Sequence, residues 1–133
     1  MEKRVVSYEV DIRIGVIRID NPPVNAMSHP VRAGLMEALQ EASSDEACDA
    51  LLILCKGRTF IAGADITEFG KTPLEPHLPD VITAIEYFPR PVVAALHGTA
   101  VGGGLEVALA GHYRCARPDT RLGLPEVTLG LLP

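Results

Sequence analysis

PVVAALHGTAVGGGLEVALA, residues 91–110, is the stretch on which the fold turns. Val92 to Leu96 is a short, continuous apolar run behind a proline, the pattern of a strand covered on both faces in a parallel sheet. Leu105 to Ala110 reads as a short helix, and Gly102-Gly103-Gly104 lies between the two, where the chain has to turn sharply. Outward from this unit the same grammar repeats. ALLILC (residues 50–55), closed by Lys56-Gly57, is a second buried strand. Ser28 is placed to N-cap a helix with the apolar face Val31, Leu35, Leu39 and Ala42, ending near Ser43-Ser44-Asp45. Asp80 can cap another helix, carrying Val81, Ile82, Ile85 and Phe88 and stopped by Pro89 and Pro91. VDIRIGVIRI (residues 10–19) alternates with a phase change near Gly15, so a strand pair or a bent strand is expected. Buried strands thus begin near residues 14, 50 and 92, a strand-and-helix alternation about every forty residues that specifies a layered α/β fold. Tyr113–Ala116 and Arg121–Leu124 read as further strands. The one long loop, residues 66–80, is of the kind that often covers a site.

The 133 residues are 47% hydrophobic and 22% charged, which fits a single globular domain. Twelve Lys+Arg against seventeen Asp+Glu leave a net charge of -5 with no basic run, so no nucleic acid partner is expected. No apolar stretch approaches the roughly 20 residues of a membrane span. Met1-Glu2-Lys3-Arg4 runs directly into alternating sequence, unlike a signal peptide. Cys48, Cys55 and Cys115 are odd in number and form no C-x-x-C pair, which argues against a disulfide framework or thiolate zinc site and for a reducing compartment. His29, His77, His97 and His112 lack paired ligand spacing, and no metal site is expected. Gly130-Leu131-Leu132-Pro133 is an apolar ending that reads as a cut, so the expectation is a domain truncated at its C-terminus.

The chemistry-bearing residues cluster around the glycines. The first N–H groups of a helix have no intrahelical partner, so a helix opening at Gly102-Gly103-Gly104 can receive developing negative charge. A tight turn needed only for packing would use glycine as well. Phe60-Ile61-Ala62-Gly63-Ala64-Asp65-Ile66 is a second small-residue turn, following one buried strand as the glycines follow the other. Sites in open α/β sheets collect beyond the strand C-termini, so the two turns could present N–H groups to one oxygen. Alternatively, Ala62-Gly63-Ala64 is small because something bulky passes over it. Glu106 and Glu126 are isolated acids in apolar segments: either surface carboxylates or an acid/base pair whose pKa values burial would raise. Gly70-Lys71-Thr72 is not a phosphate loop, because Asp65 stands where the loop needs glycine. Neither G-x-G-x-x-G nor G-x-S-x-G occurs.

Taken in order, FIAGADITEF, PVVAALHGTAVGGGLEVALAGHYRCA and RLGLPEVTLGLLP resemble the enoyl-CoA hydratase/isomerase (crotonase) family, and NPPVNAMS matches the family's opening turn. In detail LPDVITAIE and GLEVALAGHYR are most similar to the hydratase part of multifunctional β-oxidation enzymes that also carry a 3-hydroxyacyl-CoA dehydrogenase. The resemblance implies a spiral of repeated β-β-α units assembled as homo-oligomers and binding acyl-CoA thioesters. It implies an oxyanion hole from the N–H groups of Ala64 and Gly103, with Ala62, Asp65, Ile66 and Gly102 lining the substrate. Glu106 and Glu126 match the family's catalytic glutamates, Glu106 assigned as base and Glu126 as acid. It further implies hydration of a 2-enoyl-CoA in fatty-acid β-oxidation. No cofactor is needed, since CoA belongs to the substrate, and NAD enters only if a dehydrogenase domain follows. The compartment would be the cytoplasm in a bacterium, and the peroxisome or mitochondrion in a eukaryote. The alternatives are a Δ3,Δ2-enoyl-CoA isomerase, which needs one of the two acids, and a non-catalytic acyl-CoA-binding or assembly module. The family pattern continues past LGLLP, which is where this sequence departs from it.

Overall fold

The computed structural model describes residues 4–133, so the opening Met1-Glu2-Lys3 lies outside the described residues. Strands β1 (Val6–Asp11) and β2 (Ile14–Ile19) form an antiparallel hairpin, and helix α1 (His29–Ser43) follows. Strand β3 (Ala50–Cys55) leads through a long connection to helix α2 (Leu78–Glu86). Strands β4 (Val92–Leu96) and β5 (Thr99–Val101) lead to helix α3 (Gly103–Ala110), and β6 (Tyr113–Ala116) and β7 (Arg121–Gly123) precede a short 3-10 helix, Pro125–Leu129. The main sheet has five strands in the order β1-β2-β3-β4-β6, parallel from β2 onward. β5 and β7 pair in parallel apart from it, and bridges from Ala62 to Val101 and from Met27 to Ala64 widen that small sheet. Each helix is therefore preceded by one strand of the main sheet and one contribution to the small one.

The register lines up Ile17, Ile53 and Ala94 across β2, β3 and β4. All three are fully buried beside Leu35, Val81 and Ile85 of the helices. The expectation that the central strands are covered on both faces is corrected here. Leu51, Ile53 and Cys55 are buried, but the alternate residues Leu52 and Leu54, with Val93 and Ala95 of β4, are only half-buried. The buried set packs with the helices, and among the described residues the alternate set is only partly covered.

Three local readings also change. The first strand begins at Val6, and the reversal lies at Ile12-Arg13, not near Gly15; both turn residues have positive φ (45° and 66°). Such a turn matches the twist of the flanking strands, and the Arg13 guanidinium holds it by a bidentate pair with Asp49 and a bond to the Glu46 carbonyl. Asp80 is not the cap of α2. The helix starts earlier behind His77, and Asp80, in its first turn, accepts from the His77 N–H at 2.8 Å. The glycines, finally, follow β5 rather than β4, because three residues of strand intervene. Ser28 does cap α1, its Oγ accepting from the Val31 N–H at 3.4 Å.

Two thiols, Cys48 and Cys55, are buried, and Cys115 is exposed on the edge strand β6. Burial pushes the Cys55 thiol up to about 12. Among the described residues no helix is long and apolar enough to cross a membrane, and no group of three His, Cys, Asp or Glu is placed to hold a metal ion.

Candidate active site

The turns after β3 and β4 are tied to each other directly. The Phe60 N–H donates to the His97 carbonyl at 2.8 Å. Thr59 Oγ1 donates to the Thr99 carbonyl at 2.9 Å and accepts from the Thr99 N–H at 2.8 Å. A Cβ on Gly98 would fall 2.6 Å from the Arg58 carbonyl oxygen, so the two crossings touch backbone to backbone. Asn25, 2% exposed, fixes a third segment: its amide donates to the carbonyls of Lys56 and Thr59, and its oxygen accepts from the Asn21 N–H.

Along this seam the residues singled out in the sequence come together. The Met27 N–H donates to the Gly63 carbonyl at 3.1 Å, pairing Met27 with Ala64. A Cβ on Gly103 would meet the side chains of Leu78 and Met27, at 3.1 and 4.0 Å. Leu78 also lines a cavity of about 240 Å3 with Ala64, Asp65 and Met27. Ala64 and Gly103 thus share two neighbours, Met27 and Leu78, although they lie on separate units of the chain. Leu78 had no signal in the sequence beyond being an apolar residue before a proline.

Each of the three glycines answers to a different constraint. Gly102 has φ 56° and ψ -129°, a conformation that side chains avoid, and its N–H donates to the Gly123 carbonyl. A Cβ there would also lie 2.9 Å from Glu126 Oε2. At Gly104 a Cβ would overlap the Ile61 carbonyl oxygen outright. Backbone conformation therefore explains Gly102 and packing explains Gly104, whereas a Cβ on Gly103 would face only side chains. The first intrahelical bond of α3 runs from the Glu106 N–H to the Gly102 carbonyl, so the N–H groups of Gly103 and Gly104 precede the helical ladder.

Glu106 sits in the first turn of α3 and lines an apolar cleft of about 610 Å3 between α2 and α3, with Leu78, Ile82 and Leu109. Burial first, and the charge of Glu126 second, hold its carboxyl above the ordinary carboxylate range. Glu126 arrives from the C-terminal 3-10 helix, and its Oε1 is buried with no hydrogen-bond partner among the described residues. Asp65 caps the one-turn helix Ile66–Glu68, accepting from the Thr67 hydroxyl and N–H, and those bonds hold its carboxyl below the ordinary range. Ala62 is half-buried, its N–H donating to the Val24 carbonyl, and Ile66 is exposed. Leu78 lines both the cleft that holds Glu106 and the smaller cavity beside Ala64.

The profile of the enoyl-CoA hydratase/isomerase family matches residues 9–133. The chain is 47% identical over 127 residues to a Danio rerio protein named peroxisomal bifunctional enzyme, a match covering 95% of this chain and 18% of that protein. It is 41% identical over 135 residues to the Bacillus subtilis protein named "Probable enoyl-CoA hydratase", covering 96% and 52% of the two. A solved Legionella pneumophila structure of the enoyl-CoA hydratase/isomerase (crotonase) type superposes with a TM-score of 0.90 at 25% identity, covering 99% of this chain and 55% of that one. The chain spans about half the length of the Bacillus relative and of the Legionella structure, and under a fifth of the Danio enzyme. The fold class implied by the sequence resemblance is the one observed. By its profile match and its architecture, the chain belongs to the enoyl-CoA hydratase/isomerase family.

Proposed function

We propose that the protein adds water to 2-enoyl-CoA thioesters to give 3-hydroxyacyl-CoA, as a step of fatty-acid β-oxidation. The observation that carries this reading is the carboxylate pair: Glu106 held protonated more readily than usual, beside Glu126 with a buried, unpartnered oxygen. A buried carboxylate oxygen without a partner is costly, and one that serves a bound reactant has a reason to persist.

In the proposed reaction ionised Glu106 takes a proton from water as its oxygen bonds to the β-carbon. The carbon–carbon π electrons move toward the thioester, whose oxygen becomes an enolate held by the N–H groups of Ala64 and Gly103. Glu126, in the role of acid, then delivers a proton to the α-carbon, and the carbonyl re-forms. Glu106 ends protonated and Glu126 ionised, and the proton passes back within the pair, so one water is consumed and nothing else. The chemistry draws on no metal and no cofactor. The name of the Bacillus relative, "Probable enoyl-CoA hydratase", supports the hydratase reading.

The test is Glu106→Gln and Glu126→Gln in the full-length gene product, each expected to lower kcat by about 10²–10⁴-fold with the fold retained. A near-normal rate for either removes that residue from the mechanism. A 3-enoyl-CoA assayed beside the 2-enoyl substrate separates the hydratase from the isomerase. Calorimetric binding of an acyl-CoA without turnover would identify a binding module.

A further inference from the structure

We propose that Arg32 is a positioning residue for the oxyanion turn, tying the Met27 segment that pairs with Ala64 to Glu68 and to the loop that follows it; the inference rests on the hydratase reading of the site. Arg32 lies on the buried face of α1 among Val31, Leu35 and Leu39, where an aliphatic side chain would serve packing. Its side chain is instead spent on hydrogen bonds. Nη1 donates to the Met27 carbonyl at 3.1 Å, on the segment that pairs with Ala64. Nε donates to the Pro76 carbonyl at 2.8 Å, and Nη2 reaches Glu68 Oε1 at 3.1 Å and the Leu74 carbonyl at 3.5 Å. The other Glu68 oxygen accepts from the His29 N–H at 2.8 Å, and the His29 ring bonds the Glu75 carbonyl at 2.8 Å.

One guanidinium therefore joins three things: the Met27 segment, the one-turn helix directly after Ala64, and the loop that ends at Leu78. Leu78 is the side chain against Gly103. Both proposed donors are thus referred to α1 through the same residue, which a fork of five planar N–H groups can do and a lysine ammonium cannot. A buried charge is tolerated where it is paired and its remaining donors are filled, as Glu68 and the carbonyls do here. Small displacement of an oxyanion donor weakens transition-state binding more than ground-state binding, so the expected signature is in kcat.

The experiment uses the full-length gene product and butyryl-CoA carrying 13C at its thioester carbonyl, a saturated probe that cannot be hydrated. The infrared stretch of the bound carbonyl reads the strength of the hole directly. In the wild type the stretch moves to lower frequency on binding. Arg32→Met is expected to lose about half of that shift and to lower kcat about tenfold to hundredfold, with KM within about threefold. Arg32→Lys and Glu68→Gln should show the same changes at smaller size, and they decide the matter if Arg32→Met does not fold. A folded variant set that loses stability but keeps the full carbonyl shift and kcat gives Arg32 a purely structural role and overturns the proposal. If the wild type shifts the carbonyl without hydrating enoyl-CoA, the hydratase reading falls and the Arg32 comparison still stands on the shift. If the wild type binds the probe without shifting it, there is no hole to position and both readings fall.

Discussion

A methyl group on Gly104 would overlap the Ile61 carbonyl oxygen, whereas one on Gly103 would touch only the end of Leu78. Backbone cannot retreat as a leucine methyl can. Gly104→Ala is therefore expected to cost about 3 kcal/mol or more, and Gly103→Ala to stay within about 1 kcal/mol, as read by urea unfolding of the full-length gene product. Equal costs at the two positions would contradict the packing described. Glu106 gives a pH-dependent counterpart. Its carboxyl is raised in the folded state, so folding binds a proton. Its favourable contribution is present at low pH and is lost as pH rises from the ordinary glutamate value, about 4.3, through the raised folded value. Glu106→Gln is accordingly expected to unfold at a higher temperature than wild type near neutral pH, with that advantage vanishing toward about pH 4. If Glu106 is the base, the acid limb of kcat/KM should lie above the ordinary glutamate range and disappear in the same variant. A limb at the unperturbed value would assign the proton transfer elsewhere.

At the scale of elements, the two central strands announce themselves by uninterrupted apolar runs, and Tyr113–Ala116 also matches β6 although it is interrupted by Arg114. ALLILC and VVAAL match β3 and β4 residue for residue, since their apolar runs are bounded by Lys56-Gly57 and by Pro91 and His97, while the alternate positions, though apolar, are only half-buried. β5 is three residues, Thr99–Val101, between Gly98 and Gly102, too short to show a period. α2 was legible in its apolar face but not in its start, since Asp80 can satisfy backbone N–H groups from inside the first turn as well as from the cap. In the candidate site, Glu106 and Glu126 stood out as acids in apolar company. Arg32 and Asn25 did not, because most of their partners are backbone carbonyls, which carry no residue-type signal. Asn25 is the clearest of these. It has φ 52°, is buried, and binds the β2–α1 connection to the turn after β3. Asn25→Ala strands two carbonyls and the Asn21 N–H, and a loss of about 3 kcal/mol in thermal or denaturant unfolding is expected. A loss under about 1 kcal/mol would mean that the connection is held by its other contacts.

On the scale of the whole chain, apolar side chains gather on the surface of its last segments: Leu122, Leu124, Val127, Leu129, Leu131 and Leu132 are all exposed. Exposed apolar side chains in such number mark interfaces or aggregation, and a net charge of -5 does little to screen them. The 133-residue chain by itself is expected to self-associate in light scattering and to have little hydratase activity. A stable monomer with full turnover would show that the exposed face needs no cover. The small sheet beneath the site has a further consequence, for the order of events in folding. Its members, Met27, the Ala62–Ala64 turn, β5 and β7, come from four separate parts of the sequence and pair with one another across those separations. No hairpin nucleates it, and each bridge closes a long loop whose entropy must be met at once. During refolding, helix signal should return before any competence to polarise a thioester. The catalytic assay is then a clock for the last long-range docking, and a variant that slows this step delays activity while leaving the early circular-dichroism phase untouched.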